Sequence, residues 1–252
     1  MKVRYLLNAV FTIGLFYSSA AFSQVGALNV QIPSEGITLT YPKEVRLEQV
    51  LTDTAAHSKV SSPFAYPIAN QLFNIDKRED ITELKSSVLN RLTTLRSSHP
   101  KLHQSISMLV EQIKRWDIGY REHLNLDFDA IRLDPSLNPM LAGNYELLLP
   151  SRKSSVLVEG LVFNPATFSL NKATSVSEVI NQANRLSSSS SSFAWVIYPD
   201  GSAQKVGYAY WNDSKTLLAP GSSIFIGFDK TGSDFKQLEH DIVKLISMRK
   251  NL

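Results

Sequence analysis

Alternating apolar and polar positions near the start of the chain predict a strand hairpin that leads into a helix. Residues 28–32 and 37–41 alternate as half-buried strands do, and the segment 33–36 separates them as a turn. In residues 44–51 the apolar side chains return at helical spacing. This segment is therefore predicted to be a short amphipathic helix with one buried face.

The same order of elements returns in the second half of the chain. Residues 156–162 and 168–170 are predicted strands with a turn between them. Residues 175–183 follow as a predicted helix, and Ser175 is a suitable residue to cap it because a serine hydroxyl accepts a hydrogen bond from the first turn. The chain thus repeats a hairpin followed by a helix.

The two units also match in sequence. LTYPKEVRLEQVL from Leu39 aligns with FSLNKATSVSEVI from Phe168, and MLAGNYELLL around Gly143 aligns with LAPGSSIFIGF around Gly221. Two matched ends in the same order predict a tandem duplication, although short apolar strings can also match by chance. The first copy is longer by about 50 residues between its helix and its last strand, which predicts an insertion there.

Two helical patterns fill this surplus and predict an αα-hairpin over about 79–123. Pro100 breaks the chain between them. The apolar positions of the first stripe are Ile81, Leu84, Val88, Leu92 and Leu95, and those of the second are Ile106, Leu109, Ile113, Trp116 and Tyr120. An αα-hairpin of this size accounts for the longer first copy.

The last third of the chain adds a serine run, two strands and a helical tail. The six serines of 187–192 are predicted to form a mobile surface loop. Residues 193–198 and 203–211 are predicted strands joined by a turn at 199–201. From residue 233 to residue 252 the pattern is that of an amphipathic helix, with an apolar face of Phe235, Leu238, Ile242, Leu245 and Ile246.

The first residues resemble a secretory signal. Lys2 and Arg4 precede an apolar stretch, and Ala21-Phe22-Ser23 is a small-residue cleavage site, so residues 1–23 are predicted to be removed. Removal takes away two cations and no acid, which brings the chain from a formal charge of +3 close to neutrality and removes the support for nucleic-acid binding. No later segment is apolar for long enough to span a membrane, and the chain has no cysteine for a lipid anchor or disulfide.

The segment FDAIRLDPSLNPMLAGNYELLLPSR, residues 128–152, resembles the signature of the GfcC-like capsule biosynthesis family. The phrase VLVEGLVFNPATFSL, residues 156–170, is similar to the soluble ligand-binding β-grasp of outer-membrane polysaccharide exporters. The resemblance covers essentially the whole chain after residue 23. It implies an α+β protein with two tandem β-grasp domains, a helical hairpin inserted in the first and a C-terminal amphipathic helix.

On this basis the expected organisation is a signal peptide at 1–23, a first β-grasp domain at 24–150, a second at 151–230 and the amphipathic helix at 231–252. The resemblance implies a periplasmic accessory role in capsule or exopolysaccharide assembly and export. The expected partner is therefore a polysaccharide or an outer-membrane polysaccharide exporter. The family has no settled enzymatic activity, so the resemblance indicates a process and leaves the reaction open.

Asp127 and Asp129 are the candidate catalytic residues. If they alternate along a strand, both carboxylates point to one face, as the paired acids of sugar hydrolysis must. Solvation at a strand edge, or pairing with Arg132, explains the same residues equally well. The expectation is therefore that the protein is not an enzyme, with a carbohydrate-modifying enzyme using Asp127, Asp129 and Arg132 as the alternative.

Arg132 is the first choice for a ligand-binding residue, because it lies in the segment most like the family signature. A guanidinium offers a rigid fork of donors suited to carboxylates and phosphates, which acidic capsules and lipid-linked sugars carry. The structural alternative is an ion pair with Asp129 or Asp134.

No cofactor or metal site is expected. The five histidines are scattered, and His99 and His103 have Pro100 between them and no Glu-x-x-His phrase nearby. Glycine patterns for nucleotides and the elbow of serine hydrolases do not occur. The aromatic residues of the two strands near 195–211 fit either the core or a sugar-stacking surface.

The helical tail is a possible protein docking element. Its apolar face spans about five turns, which is longer than a small β-grasp domain usually covers. The alternatives are that the tail packs wholly on its own domains, or that it lies on a membrane surface. Substitution of Ile242 by aspartate separates docking from packing, because a buried carboxylate would unfold the monomer.

Overall fold

The computed structural model describes residues 27–59, 62–170, 174–230 and 232–251. The predicted signal peptide lies outside the described residues. The first repeat contains the strands β1 (Leu28–Ile32), β2 (Ile37–Tyr41), β3 (Val45–Arg46), β4 (Gln71–Asn74), β5 (Tyr120–Glu122), β6 (Met140–Leu141) and β7 (Gly143–Leu148), and the helices α1 (Leu47–His57), α2 (Arg78–Ser98), α3 (His103–Lys114) and α4 (Phe128–Leu133).

The second repeat is shorter, and a helix follows it. Its strands are β8 (Ser155–Gly160), β9 (Ala166–Ser169), β10 (Phe193–Ile197), β11 (Ala203–Gly207) and β12 (Ser223–Ile226), with helix α5 (Val176–Gln182) after the hairpin. The C-terminal helix α6 spans Ser233–Ser247. The mixed α+β architecture with two sheet-rich units is the one that the sequence predicts.

The two sheets share one topology. The first has the strand order β2-β1-β7-β4-β5, and the second has the order β9-β8-β12-β10-β11. In each sheet the last strand of the repeat pairs in parallel with the first strand, β7 with β1 and β12 with β8, and all other pairings are antiparallel. This is the β-grasp arrangement, present twice.

The insertion lies between β4 and β5, which are the third and fourth strands along the chain in the first five-stranded sheet. Helices α2 and α3 connect β4 to β5, whereas the equivalent strands β10 and β11 are joined by a tight turn. The residues that form the two predicted stripes are largely buried. The helical hairpin is therefore confirmed.

The inserted hairpin packs on the second repeat and on α6. One core contains apolar side chains of α2, α3 and α6 together with Leu161, Ile197 and Phe225 of the second sheet. Gln112 of α3 also accepts from the backbone N–H of Gly160 at 3.0 Å and donates to its carbonyl at 2.9 Å. The hairpin thus fixes the position of the second repeat relative to the first.

Each β-grasp also has a hydrophobic core of its own. In the first repeat α1 packs on the sheet through Leu47, Val50 and Leu51, and in the second α5 packs through Val179 and Ile180. Helix α1 is longer than predicted and begins three residues later, because Val45 and Arg46 pair with β6 as a short strand. Helix α5 begins with a capping box, in which Ser175 and Glu178 bond each other's backbone N–H.

The docking prediction for the C-terminal helix is wrong. All five residues of the predicted apolar face are buried, and Ile242 has no solvent exposure. They pack against α2, α3 and the second sheet, so the face that was expected to exceed its own domain is covered by the inserted hairpin. Asp241 on the same helix forms an ion pair with Arg91 of α2.

The mobile-loop prediction for the serine run is also wrong. Ser189 and Ser190 are buried, the backbone N–H of Ser190 donates to the Gly227 carbonyl at 2.9 Å, and the Ser188 hydroxyl donates to that of Ser105 at 2.6 Å. A serine run is typical of flexible segments when it is solvated, but these hydroxyls and amides have partners within the fold.

Candidate functional site

The two candidate catalytic aspartates do not lie on a strand, so that prediction is wrong. Asp127 is the N-cap of α4, and its Oδ1 accepts from the backbone N–H of Asp129 at 3.0 Å and of Ala130 at 3.2 Å. Asp129 is exposed in the first turn of this helix. Aspartate is a strong N-cap residue, so the spacing that resembled strand alternation is a helix start.

Arg132 is exposed near the end of α4, and its guanidinium carbon lies 5.6 Å from the centroid of the Phe128 ring. Within the described part of the chain it has no carboxylate oxygen inside the 4.0 Å limit of an ion pair, so the structural alternative, a pairing with Asp129 or Asp134, is absent. Asp134 instead accepts from the Ser136 hydroxyl and N–H, which lowers the pKa of its carboxyl. Arg132 is thus not brought together with the two aspartates.

A cavity of ≈ 510 Å³ lies where the two repeats meet. The first repeat contributes residues before β4 and residues of the segment 121–127, and the second contributes the turn between β10 and β11. Its lining includes Pro67, Ile68, Arg121, His123, Leu124, Leu126 and Asp127 of the first repeat, and Asp200 and Ser202 of the second. We name this cavity the junction pocket.

Arg121 is the buried charge of the junction pocket, with 3% of its surface exposed. Strand β5 places it opposite Phe73 of β4, and its Nη2 donates to the carbonyl of Asn70 at 3.3 Å and to that of Pro199 at 2.6 Å. Its other terminal nitrogen, Nη1, is buried and has no hydrogen-bond partner in the described residues. An unsatisfied buried donor costs about 1–3 kcal/mol, so such a group marks a place where a ligand atom or a water can bond.

Burial and charged residues of both repeats affect the pKa values of Arg121 and His123. Burial lowers the pKa of Arg121 to about 10, and the carboxylate of Asp200 opposes this effect. Burial also lowers the pKa of His123, and the positive charge of Arg121 lowers it further, against the opposite effect of Asp200. At neutral pH the pocket therefore holds a charged guanidinium beside an uncharged imidazole.

Two carboxylates face the same space. Oδ1 of Asp200 accepts from the N–H of Ser202 at 2.9 Å and from its hydroxyl at 2.7 Å, and Oδ1 of Asp127 caps α4. Among the described residues neither Oδ2 has a hydrogen-bond partner. The pocket thus offers carboxylate acceptors as well as a guanidinium donor, and the charge of Asp200 acts on Arg121.

Gly201 lies close to Arg121 and His123. It is buried at a φ of +87°, and a Cβ built on it would lie 3.2 Å from Arg121 Nη1 and 3.1 Å from Cε1 of His123. A positive φ is costly for residues with a side chain, so this turn favours glycine on conformational grounds as well. The missing side chain lets the turn approach the buried Nη1 of Arg121 and the imidazole closely.

Apolar residues also line the pocket. Pro67 and Ile68 form the start of a short 3₁₀ turn, and Leu124 and Leu126 follow β5. Ile68 is 42% exposed. A pocket lined by both polar and apolar side chains suits a ligand that has both kinds of surface.

The sequence did not single out Arg121. Its signal is weak, because a charged residue in a three-residue strand, Tyr120–Glu122, is equally typical of a solvated edge. The pocket forms only when the turn of the second repeat reaches Arg121, across 78 positions of the chain. Turn residues 199–201 were predicted, but their neighbour in space was not.

The other candidate features do not form a site of this kind. No group of three or more His, Asp or Glu in the described ranges is arranged to hold a metal ion. The aromatic residues near β10 and β11 divide between core and surface, since Tyr208 is buried whereas Tyr210 and Trp211 are exposed in the turn that replaces the end of the predicted strand.

The fold and the pocket define a class: a tandem β-grasp protein with a polar cleft at the junction of its two repeats. Residues 25–152 match the family model described as capsule biosynthesis GfcC, N-terminal, and residues 164–250 match the one described as capsule biosynthesis GfcC C-terminal. The chain belongs to the GfcC family of capsule biosynthesis proteins.

A relative in Escherichia coli (strain K12) carries the name Uncharacterized protein YjbG. It is 34% identical over 147 residues, which are 58% of this chain and 60% of the relative. The chain therefore matches somewhat less than two thirds of the length of this relative. In the described part of the chain, every helix is too short or too polar to cross a membrane.

Proposed function

We propose that this protein is a periplasmic accessory factor in the assembly or export of a capsule or exopolysaccharide, and that it acts by binding rather than by catalysis. The observation that carries the binding role is the junction pocket, where a buried arginine has an unpartnered nitrogen. Membership of the GfcC family supports the process, and the signal-like residues 1–23 support the compartment.

The catalytic alternative has lost the geometry on which it was based. Two carboxylates that hydrolyse a glycoside must flank the same bond, at about 5–10 Å from each other. Asp127 lines the junction pocket but caps a helix with one oxygen, and Asp129 is not among the residues that line it. Arg132 lies outside the pocket as well.

Deletion of the gene tests the proposed function. We expect less surface polysaccharide with an unchanged monomer composition, and full recovery when the intact gene is returned. Return of a D129N variant should restore the polysaccharide equally well, because Asp129 does not line the junction pocket. A normal amount of polysaccharide in the deletion strain would show that the proposed function is wrong.

Purified protein separates binding from catalysis. Incubation with the isolated polysaccharide should leave its chain length and its substituents unchanged, as measured by size-exclusion chromatography and by composition. Shortened chains or lost substituents that disappear with D127N would restore the catalytic alternative.

A further inference from the structure

We propose that the junction pocket binds an uncharged sugar unit, with Arg121 Nη1 donating to its hydroxyls and the carboxylates of Asp127 and Asp200 accepting from them. The inference rests on the proposed function for the source of the sugar, a polysaccharide in the same compartment. Its chemistry is argued from the pocket alone.

The donor side of the argument is Arg121. Both hydrogen bonds of Nη2 go to carbonyls of the chain, so this nitrogen is fixed in place, while Nη1 on the same rigid plane has no partner among the residues that the structure describes. A guanidinium that is held by one nitrogen presents the other in a defined direction. A ligand oxygen that meets Nη1 therefore satisfies a donor that the fold itself leaves unsatisfied.

The charge balance of the pocket favours an uncharged ligand over an anion. One guanidinium shares the pocket with two carboxylates, those of Asp127 and Asp200, and the lowered pKa of His123 keeps its imidazole uncharged at neutral pH. The remaining charges that act on His123 are those of Glu122 and Lys244, which oppose each other. A ligand carboxylate or phosphate beside Arg121 would thus meet the negative charge of Asp200, with that of Asp127 in the same pocket.

Hydroxyl groups match this mixture of donors and acceptors. Each hydroxyl donates one hydrogen bond and accepts others, so adjacent hydroxyls on a sugar ring can bond Arg121 Nη1 and an aspartate Oδ2 together. The ring has a less polar face as well, which suits the apolar side chains of Ile68 and Leu124 that line the pocket. A cavity of ≈ 510 Å³ is within the range of about 300–1,000 Å³ that small-molecule sites occupy.

Gly201 provides a variant that tests the pocket without removing its charges. In G201A the new methyl group lies against Arg121 Nη1 and the His123 ring, at 3.2 and 3.1 Å. The strain of a side chain at positive φ is matched by G36A, because Gly36 has a φ of +68° and no atom within 4 Å of its Cβ position. The difference between the two variants isolates the effect of a methyl group placed against Arg121 and His123, two residues that line the pocket.

The experiment is a calorimetric titration of the mature protein with two panels of di- and trisaccharides. One panel contains neutral hexoses, and the other contains the corresponding uronic acids. We expect at least one neutral sugar to bind, at least tenfold more weakly to G201A than to wild type, and within about twofold of wild type to G36A. The neutral affinity should change little between about 50 and 500 mM NaCl, because screening acts on charged partners.

Three results would overturn the inference: binding of uronic acids alone with affinity that falls in salt, neutral binding that G201A leaves unchanged, or no binding of neutral sugars. These results are distinguishable from failure of the proposed function. If the deletion strain loses polysaccharide and G201A restores it fully, the accessory role remains and the sugar site is wrong. If the deletion strain keeps normal polysaccharide, the accessory role is wrong even where a sugar binds.

Discussion

Arg249 donates from a single guanidinium nitrogen, Nη1, to both carboxylate oxygens of Glu159, at 2.8 Å each. Glu159 lies on β8 with 1% of its surface exposed, and Arg249 follows α6. The guanidinium also lies 5.3 Å from the ring centroid of Trp116, just after the inserted hairpin. This ion pair therefore joins the C-terminal segment to the second sheet where the hairpin packs.

The R249M variant should be strongly destabilised, because it leaves the buried carboxylate of Glu159 without its counter-charge. Loss of one partner of a buried pair costs about 3–5 kcal/mol, and urea unfolding followed by circular dichroism measures it. K114M removes the exposed pair with Glu111 and should cost less than about 1 kcal/mol. The double variant R249M/E159M should recover much of the stability. Equal losses of stability in R249M and K114M would contradict this account.

The I242D variant should unfold at a much lower temperature than wild type. Ile242 is fully buried between α6 and the inserted hairpin, and an unpaired carboxylate there costs several kcal/mol. K236D, at an exposed position of the same helix, should change the melting temperature only slightly. An I242D protein that melts like wild type would restore the docking role of this helix.

The duplication was predictable from the sequence, and the backbone geometry at the aligned positions agrees with the match. Gly143 and Gly221, aligned from the pattern, both have positive φ and both donate to a carbonyl at the start of the first strand of their repeat, Ala27 and Ser155. The N–H of Leu47 donates to Pro139, as that of Val176 donates to Thr216. Local patterns therefore predict each β-grasp.

The pocket and the docking of the helix were not predictable in this way. Arg121 meets Pro199 across the junction, and Ile242 meets residues of the hairpin, so both environments depend on how the repeats pack. The helical period of α6 shows that it has an apolar face, but it does not show what covers that face. The prediction of a strand at Asp127 and Asp129 was wrong for a different reason, since a two-residue spacing does not distinguish a strand from a helix start.

Helices α1 and α5 occupy equivalent positions in the two repeats, but different residues cap them. Their stability should therefore depend on different residues. Arg46, the N-cap of α1, forms no side-chain cap, and Asn138 accepts from the N–H of Glu48 at 3.0 Å instead. N138A should therefore cost about 1–2 kcal/mol, and S175A should cost a similar amount in the capping box of α5. Urea unfolding measures both losses. A neutral N138A variant would contradict the capping role.

Acid should destabilise the protein in part through His123. Burial and Arg121 lower its pKa in the folded state below the ordinary value of 6.5, while the unfolded chain keeps that value. As the pH falls below about 6.5, the unfolded state binds the proton first, so the free energy of unfolding decreases until the pH falls below the folded pKa. Stability from this group is thus present above pH 6.5 and lost on acidification.

The H123Q variant should lack this part of the acid loss, because it has no group to protonate beside Arg121. We expect the difference in unfolding free energy between pH 7.5 and pH 5.5 to be smaller in H123Q than in wild type, as measured by urea titration at both values. H103Q, at an exposed position at the start of α3, should retain the wild-type difference. If H123Q and wild type lose the same stability, protonation of His123 does not oppose folding, because water around the exposed imidazole then offsets the charge of Arg121.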